Sequence, residues 1–231
     1  ARGMGSSAET IVAGIAAAYA FSHEGELDRD VIFDYAAQLE GHPDNVAPAV
    51  YGGMTVSWTQ PGGGAVQPDG TTPAALFRSV NYLVGPDTTA SVFIPDFELS
   101  TSKAREALPT VVPFADAVFN VSRAALLIGA MNPAMLTSPR DPNELLMEAT
   151  EDKLHQAYRG PLMEPSARLI TLLRANGFAA MVSGAGPCVL VLHNGDANSA
   201  IDAVAHEQLE SGHWKVLHLA TDTQGVQVAR L

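Results

Sequence analysis

A glycine–serine run, ARGMGSSAET, occupies residues 1–10 and leads directly into Ile11, Ile15, Ala18 and Tyr19, which recur at helical spacing. Ser6 followed by Glu9 reads as a capping box, so Gly3–Ser7 is a loop feeding a helix N-terminus. Glycine lets backbone come close to a ligand, and the free N–H groups of a helix's first turn carry about half a unit of positive charge. A phosphate fits such a place, with the hydroxyls of Ser6 and Ser7 beside it. A tight turn before an ordinary capped helix has the same local pattern, so both readings stay open here. No Gly-Lys-Ser/Thr follows, which separates the stretch from a Walker loop.

The rest of the chain alternates helical and strand patterns. A helix is expected from about Arg29 to Leu39, stopped by Gly41 and Pro43, and Met54, Val56 and Trp58 then alternate with polar residues as a strand. QPGGGAVQPDGTTP at 60–73 reads as a turn or linker and places a domain boundary at 70/71, giving parts 1–70 and 71–231. Strands are expected at about 78–84 and 90–95, then helices at about 113–131, 142–158 and 165–176. Strands at about 178–183 and 188–193, a helix at about 196–210, and strands at about 214–220 and 225–230 complete the pattern. Gly184 and Gly186 in VSGAGPCVLVL form a tight turn between two buried strands.

Composition narrows the function. With 47% hydrophobic residues, 231 residues suffice for one large domain or two small ones. A net charge of −12 with only 13 Lys and Arg argues against nucleic-acid or membrane partners, so an anionic ligand must be held locally. The apolar runs Ala124–Met131 and Val189–Leu192 fall short of the roughly 18 residues a membrane span needs. One cysteine, Cys188, forms no internal disulfide, in keeping with a reducing, cytoplasmic setting. Glu40, His42, Asp44 and Asn45 crowd one loop, a set of side chains able to hold a metal and a substrate hydroxyl.

Taken in order, RGMGSSA, EGHPDNVAPAVYGG and SGAGPCV resemble the three motifs of the GHMP kinase superfamily, and NVSRAAL and MEPSARLI resemble segments of its homoserine kinase family. The resemblance implies an α+β GHMP kinase fold. Its N-terminal part is like the second domain of ribosomal protein S5, and its C-terminal domain is ferredoxin-like. It implies transfer of phosphate from ATP to the hydroxyl of L-homoserine, with Mg²⁺, by a cytoplasmic homodimer engaged in threonine biosynthesis. The family also has an earlier motif, Pro-x-x-x-x-Asn-Leu-Gly-x-Gly-Phe-Asp-like, with no match here, so an N-terminal truncation is expected.

The same resemblance assigns roles. Arg2, Gly3, Met4, Gly5, Ser6, Ser7 and Ala8 correspond to the ATP-binding loop, and Ser7 with Glu40 to the Mg²⁺ ligands. Asn45 would position the substrate hydroxyl, His42 would line the substrate site, and Asp44 is the candidate base. Arg123 and Arg168 match arginines that meet the amino acid's carboxylate or the phosphate, work that suits a guanidinium, and Gly184 approaches substrate. Another kinase of the superfamily, acting on mevalonate, a sugar or an isoprenoid precursor, and a non-catalytic ligand-binding module remain as alternatives. A serine hydrolase lacks its Gly-x-Ser-x-Gly elbow.

Overall fold

A computed structural model describes residues 3–61, 75–138 and 140–229. The chain forms two compact units, one of Gly5–Val84 with the segment from Asp222, the other of Gly85–Thr221 with Gly3 and Met4. The division falls at 84/85 rather than at the expected 70/71, because the strand after the linker pairs with the strand before it. The centre of the linker, 62–74, lies outside the described residues.

The first unit holds α1 (Ser6–Ser22), α2 (Arg29–Glu40), α3 (Val46–Tyr51) and the antiparallel pair β1 (Met54–Pro61) and β2 (Ala75–Tyr82). Its core is built largely from alanine and valine: Ala8, Val12 and Ala16 of α1 meet Ile32, Phe33, Ala36 and Ala37 of α2 and Val46, Ala47 and Val50 of α3. Small side chains at these contacts let the helices close on one another at interior packing density. Asp28 caps α2 by accepting from the N–H groups of Asp30 and Val31, and Gly41, at φ 83°, ends it in the left-handed region. The short helix α3 occupies a stretch that reads as loop in the sequence. The Tyr51 hydroxyl donates to Asp30 at 2.7 Å and ties it to α2.

Two expectations need correction here. Ser6 is not the cap of α1: the N-cap is Gly5, at φ 73°, and no side chain caps the helix. A left-handed glycine turns the chain into the helix by backbone alone, so Ser6 and Ser7 fall inside the first turn. The expected final strand at 225–230 is absent among the described residues. That segment instead packs on the end of α3, where Val226 N–H donates to Val50 at 3.1 Å and Gly53 N–H to Asp222 at 2.7 Å.

The second unit contains β3 (Thr88–Pro95), α4 (Thr101–Glu106), α5 (Phe114–Met131), α6 (Pro142–Ala149), α7 (Gln156–Arg159), α8 (Glu164–Ala175), β4 (Ala179–Val182), β5 (Val189–Asn194), α9 (Asn198–Val204), α10 (His206–Glu210) and β6 (Trp214–Ala220). The sheet order is β4-β5-β3-β6, antiparallel throughout, with the first strand in the middle and helices between β3 and β4 and between β5 and β6. This is the ferredoxin-like arrangement. Phe93, Val189 and Val191 from the sheet pack on Leu169 and Leu173 of α8 and Ile201 of α9. The helix expected over 142–158 is two helices, α6 and α7, separated by residues 150–155.

Helix α5 also departs from the expectation of short apolar runs. Its eighteen residues have a mean hydropathy of 1.4, enough by length and composition to cross a membrane, and only 11% of them are buried. One side of it packs on α6 through Leu126, Leu127 and Ala130, while Phe114, Val118 and Val121 are exposed.

Two glycines separate backbone strain from steric exclusion. A Cβ on Gly52, at φ 73°, would lie 2.6 Å from Gly225 N, whereas a Cβ on Gly41, at φ 83°, would meet nothing within 4 Å. Gly41→Ala should therefore cost only the left-handed penalty, about 1–2 kcal/mol. Gly52→Ala should cost clearly more and release the segment after Asp222. Urea unfolding of the two variants measures the difference, and equal losses would show that the close backbone contact at Gly52 is unimportant.

Candidate active site

In the first unit the opening loop ends at Gly5, whose left-handed turn leaves the first N–H groups of α1 free of side-chain caps. Glu9 N–H is the first to find a helical partner, the Gly5 carbonyl at 3.1 Å. The next helix end comes to this place: Ser7 Oγ donates to Glu40 Oε2 at 2.8 Å, and Glu40 is the last residue of α2. The turn at Gly41 then brings back His42, whose Nε2 stands 4.0 Å from Glu40 Oε1. His42 Nδ1 lies 2.6 Å from Asp44 Oδ1, a close contact too bent to count as a hydrogen bond. Asn45 sits at the N-terminus of α3 without capping it, and its Oδ1 would be 3.5 Å from a Cβ placed on Gly5.

This unit therefore gathers Gly5, Ser6, Ser7, Glu40, His42, Asp44 and Asn45. Ala8 contributes its backbone only, since its side chain is fully buried in the core, and Met4 is exposed. Arg2 lies outside the described residues. Among those residues no group of three His, Cys, Asp or Glu side chains is placed to hold a metal. The Ser7–Glu40 pair offers two hard oxygens, a donor set that fits Mg²⁺, which takes one or two protein ligands and completes its shell with phosphate and water.

In the second unit the glycine turn follows β4. Gly184 and Gly186 have φ of 55° and 83°, Gly186 N–H donates to Ser183 O at 2.8 Å, and the buried Ser166 hydroxyl donates to Pro187 O at 2.6 Å. Ser183 Oγ donates to the Gly3 carbonyl at 2.7 Å, and a Cβ on Gly3 would lie 2.2 Å from Ser183 O. The first and third glycine stretches thus touch backbone to backbone at Gly3.

The arginines differ sharply. Arg123 of α5 donates through Nε and Nη2 to Glu151 Oε2 at 3.1 and 2.9 Å and lies over the Phe119 ring at 4.2 Å. It borders a cleft of about 190 Å³ with Asn120, Asp152, His155, Gln156 and Val182. Arg168 is on the surface, where it pairs with Glu164 at 2.9 Å with both side chains about 70% exposed. Arg159, which the sequence reading passed over, donates from Nη1 to Gly184 O and from Nε to Ala104 O, each at 3.2 Å.

Sequence comparison gives this geometry its context. Residues 1–53 match the GHMP kinases N terminal domain and residues 131–210 the GHMP kinases C terminal domain. The homoserine kinase of Streptomyces avermitilis is 42% identical over 232 aligned residues, covering 100% of this chain and 68% of that protein. The chain belongs to the homoserine kinase family of the GHMP kinases. The homoserine kinase of Leifsonia xyli is 44% identical over 100% of this chain, which spans 65% of that protein's length. The crystal structure of homoserine kinase from Cytophaga hutchinsonii shares the fold at a TM-score of 0.77 and 20% identity, over 97% of this chain and 67% of that one.

Against this GHMP kinase frame, what the sequence reading missed is the segment between α6 and α8. Burial lowers the pKa of His155, with the Arg159 guanidinium adding to the effect and Asp152 opposing it. Burial likewise lowers Arg159, helped by Arg105 and opposed by Asp152. Partial burial of both beside the glycine turn was a signal that HQAYR in the sequence does not carry. A histidine whose folded pKa lies below its ordinary 6.5 adds stability above that value and loses it as pH falls through the folded pKa. His155→Gln should therefore flatten the acid side of the stability–pH curve below about pH 6.5, as read by thermal melts. An unchanged slope would mean that His155 is solvated.

Gly3→Ala should force the 183–186 turn away from the opening loop, since the clash is with backbone and cannot relax through a rotamer. Ser183→Ala should be milder, about 0.5–1.5 kcal/mol for one hydrogen bond. Faster amide exchange at Gly186 in Gly3→Ala than in Ser183→Ala checks the ranking.

Proposed function

We propose that the protein carrying this chain transfers the γ-phosphoryl group of ATP to the side-chain hydroxyl of L-homoserine, yielding O-phospho-L-homoserine and ADP. The observation that carries the proposal is the Ser7–Glu40 hydrogen bond at an uncapped helix N-terminus, with Asn45 beside the same glycine. Its support from relatives is the name shared by proteins 42–44% identical to the chain.

The free N–H groups at the start of α1 hold the triphosphate, as helix N-termini do, and Gly3 and Gly5 let the backbone reach it. Ser7 and Glu40 would hold Mg²⁺, which would supply positive charge against the phosphates. Asn45 orients the homoserine hydroxyl, His42 lines the substrate beside it, and Asp44 receives the proton that leaves as the new O–P bond forms. Phosphoryl transfer through a loose transition state depends mainly on alignment and charge stabilisation, so an exposed carboxylate suffices there. Arg123 and Arg159 are assigned to the amino-acid carboxylate. Arg168 gives way to Arg159 in this scheme because its guanidinium is spent on an exposed pair, whereas Arg159 is held at Gly184.

Kinetics on the full-length protein test the scheme. Glu40→Gln should cut Mg²⁺-dependent turnover at least tenfold with little change in thermal stability, and an unaltered Mg²⁺ titration would remove Glu40 from the metal site. Arg123→Ala and Arg159→Ala should each raise the KM for homoserine by roughly thirtyfold or more, the equivalent of about 2 kcal/mol for an unpaired carboxylate. Their KM for ATP should stay within about twofold, as should both constants in Arg168→Ala. Equal losses for both substrates would assign the arginines to phosphate or to structure. Turnover of mevalonate or a sugar in preference to homoserine would move the protein to another branch of the superfamily.

A further inference from the structure

The break between α6 and α7 falls where the sequence pattern reads as one helix, and a single side chain occupies it. Asp152, 6% exposed, turns inward and accepts four hydrogen bonds. Three come from the N–H groups of Leu154, His155 and Gln156, at 3.2, 2.9 and 2.7 Å. The fourth comes from Asn120 Nδ2 of α5 at 2.8 Å. Asn120 returns the contact, since its Oδ1 accepts from Lys153 N–H at 2.9 Å. An aspartate so engaged starts α7 at Gln156 and locks that start to α5.

Both ends of this arrangement carry side chains assigned above to substrate. Asn120 lies three residues before Arg123, one turn away on the same helix face, and Arg123 pairs with Glu151, the neighbour of Asp152. From α7, Gln156 Oε1 accepts from Val182 N–H at 2.8 Å, at the last residue of β4 before the glycine turn. One turn further on, Arg159 donates to Gly184 O. The structure assigns Asp152 as a positioning residue: by fixing α7 against α5 it holds Arg159, Arg123 and the 183–186 turn in one preset arrangement. It touches no reacting atom.

The chemistry explains why a carboxylate stands here. Burial by itself raises the pKa of such a group, but the N–H groups of Gln156 and His155, the Asn120 amide and the nearby His155 ring outweigh it, so Asp152 is held below the usual carboxylate range. It stays ionised and an acceptor at neutral pH. Asparagine keeps one acceptor oxygen and replaces the other with a donor facing N–H groups. Alanine removes both.

This assignment rests on the homoserine kinase reading for its kinetic consequence but not for its structural one, and the test uses both. In the full-length protein, Asp152→Ala should raise the KM for homoserine about tenfold or more while the KM for ATP stays within about twofold, with Asp152→Asn intermediate. Hydrogen exchange should quicken at His155, Gln156 and Val182 in the alanine variant. Gln156→Ala, which cuts only the link to Val182, should reproduce part of the homoserine effect and covers the case in which Asp152→Ala does not fold. Equal changes in both KM values, or a wild-type KM for homoserine in both Asp152→Asn and Gln156→Ala, would overturn the positioning role. If wild-type protein phosphorylates no homoserine, the functional reading fails, and exchange at Val182 and Gln156 still decides whether Asp152 fixes the segment.

Discussion

Close approach of one backbone to another at glycine is the constraint on which the site depends. Gly3 lies where a single added carbon would fall 2.2 Å from the Ser183 carbonyl, and Gly52 and Gly225 meet in the same way. These contacts are available only to a residue with no side chain and with access to positive φ. They join segments far apart in sequence, the opening loop to residues 183–186 in one unit and the end of α3 to the segment after Asp222 in the other. Both contacts fix their backbones by close approach rather than by side-chain packing.

Charge is handled locally rather than by an overall field. The sequence carries a net charge of −12, yet the proposed chemistry brings together a triphosphate and an amino-acid carboxylate. The first unit answers with backbone dipoles, an uncapped helix N-terminus opened by Gly5, and with an oxygen pair suited to a cation. The second unit answers with guanidinium groups that are already held: Arg123 by Glu151 and the Phe119 ring, Arg159 by two carbonyls. Holding a long cationic side chain in advance lowers the entropy lost when an anion arrives. Asp152 extends the same logic one step outward, since it fixes the short helix that carries Arg159.

The sequence was informative where a local rule decides conformation. Gly41 after an amphipathic run ended α2, the alternation in Met54–Trp58 placed β1, and Gly184 and Gly186 marked a turn between buried strands. The helix end, the strand and the turn follow from residue type and spacing: positive φ for glycine, a period of two for strands, 3.6 for helices. The superfamily and the association of Ser7 with Glu40 rest instead on the resemblance of ordered motifs, and the fold places those two side chains in hydrogen-bond contact.

Tertiary structure decided what spacing cannot carry. Ser6 and Glu9 match a capping box, but the left-handed turn at Gly5 puts Ser6 inside the first turn and leaves the helix N-terminus without a side-chain cap. The pattern over 142–158 is continuous, but Asp152 found four donors, three in its own segment and one on α5, and broke it. The residues at 225–230 alternate like a strand, yet the described part packs on the end of α3, where Gly52 and Gly225 let the two backbones touch. Arg168 and Arg159 look alike in sequence, and only packing shows one paired in solvent and the other drawn to Gly184. Local sequence fixes φ and ψ preferences and the faces of helices and strands. Which long-range partner satisfies a given hydrogen bond or charge depends on what the rest of the chain brings within about 3 Å of it, and that was set by the fold.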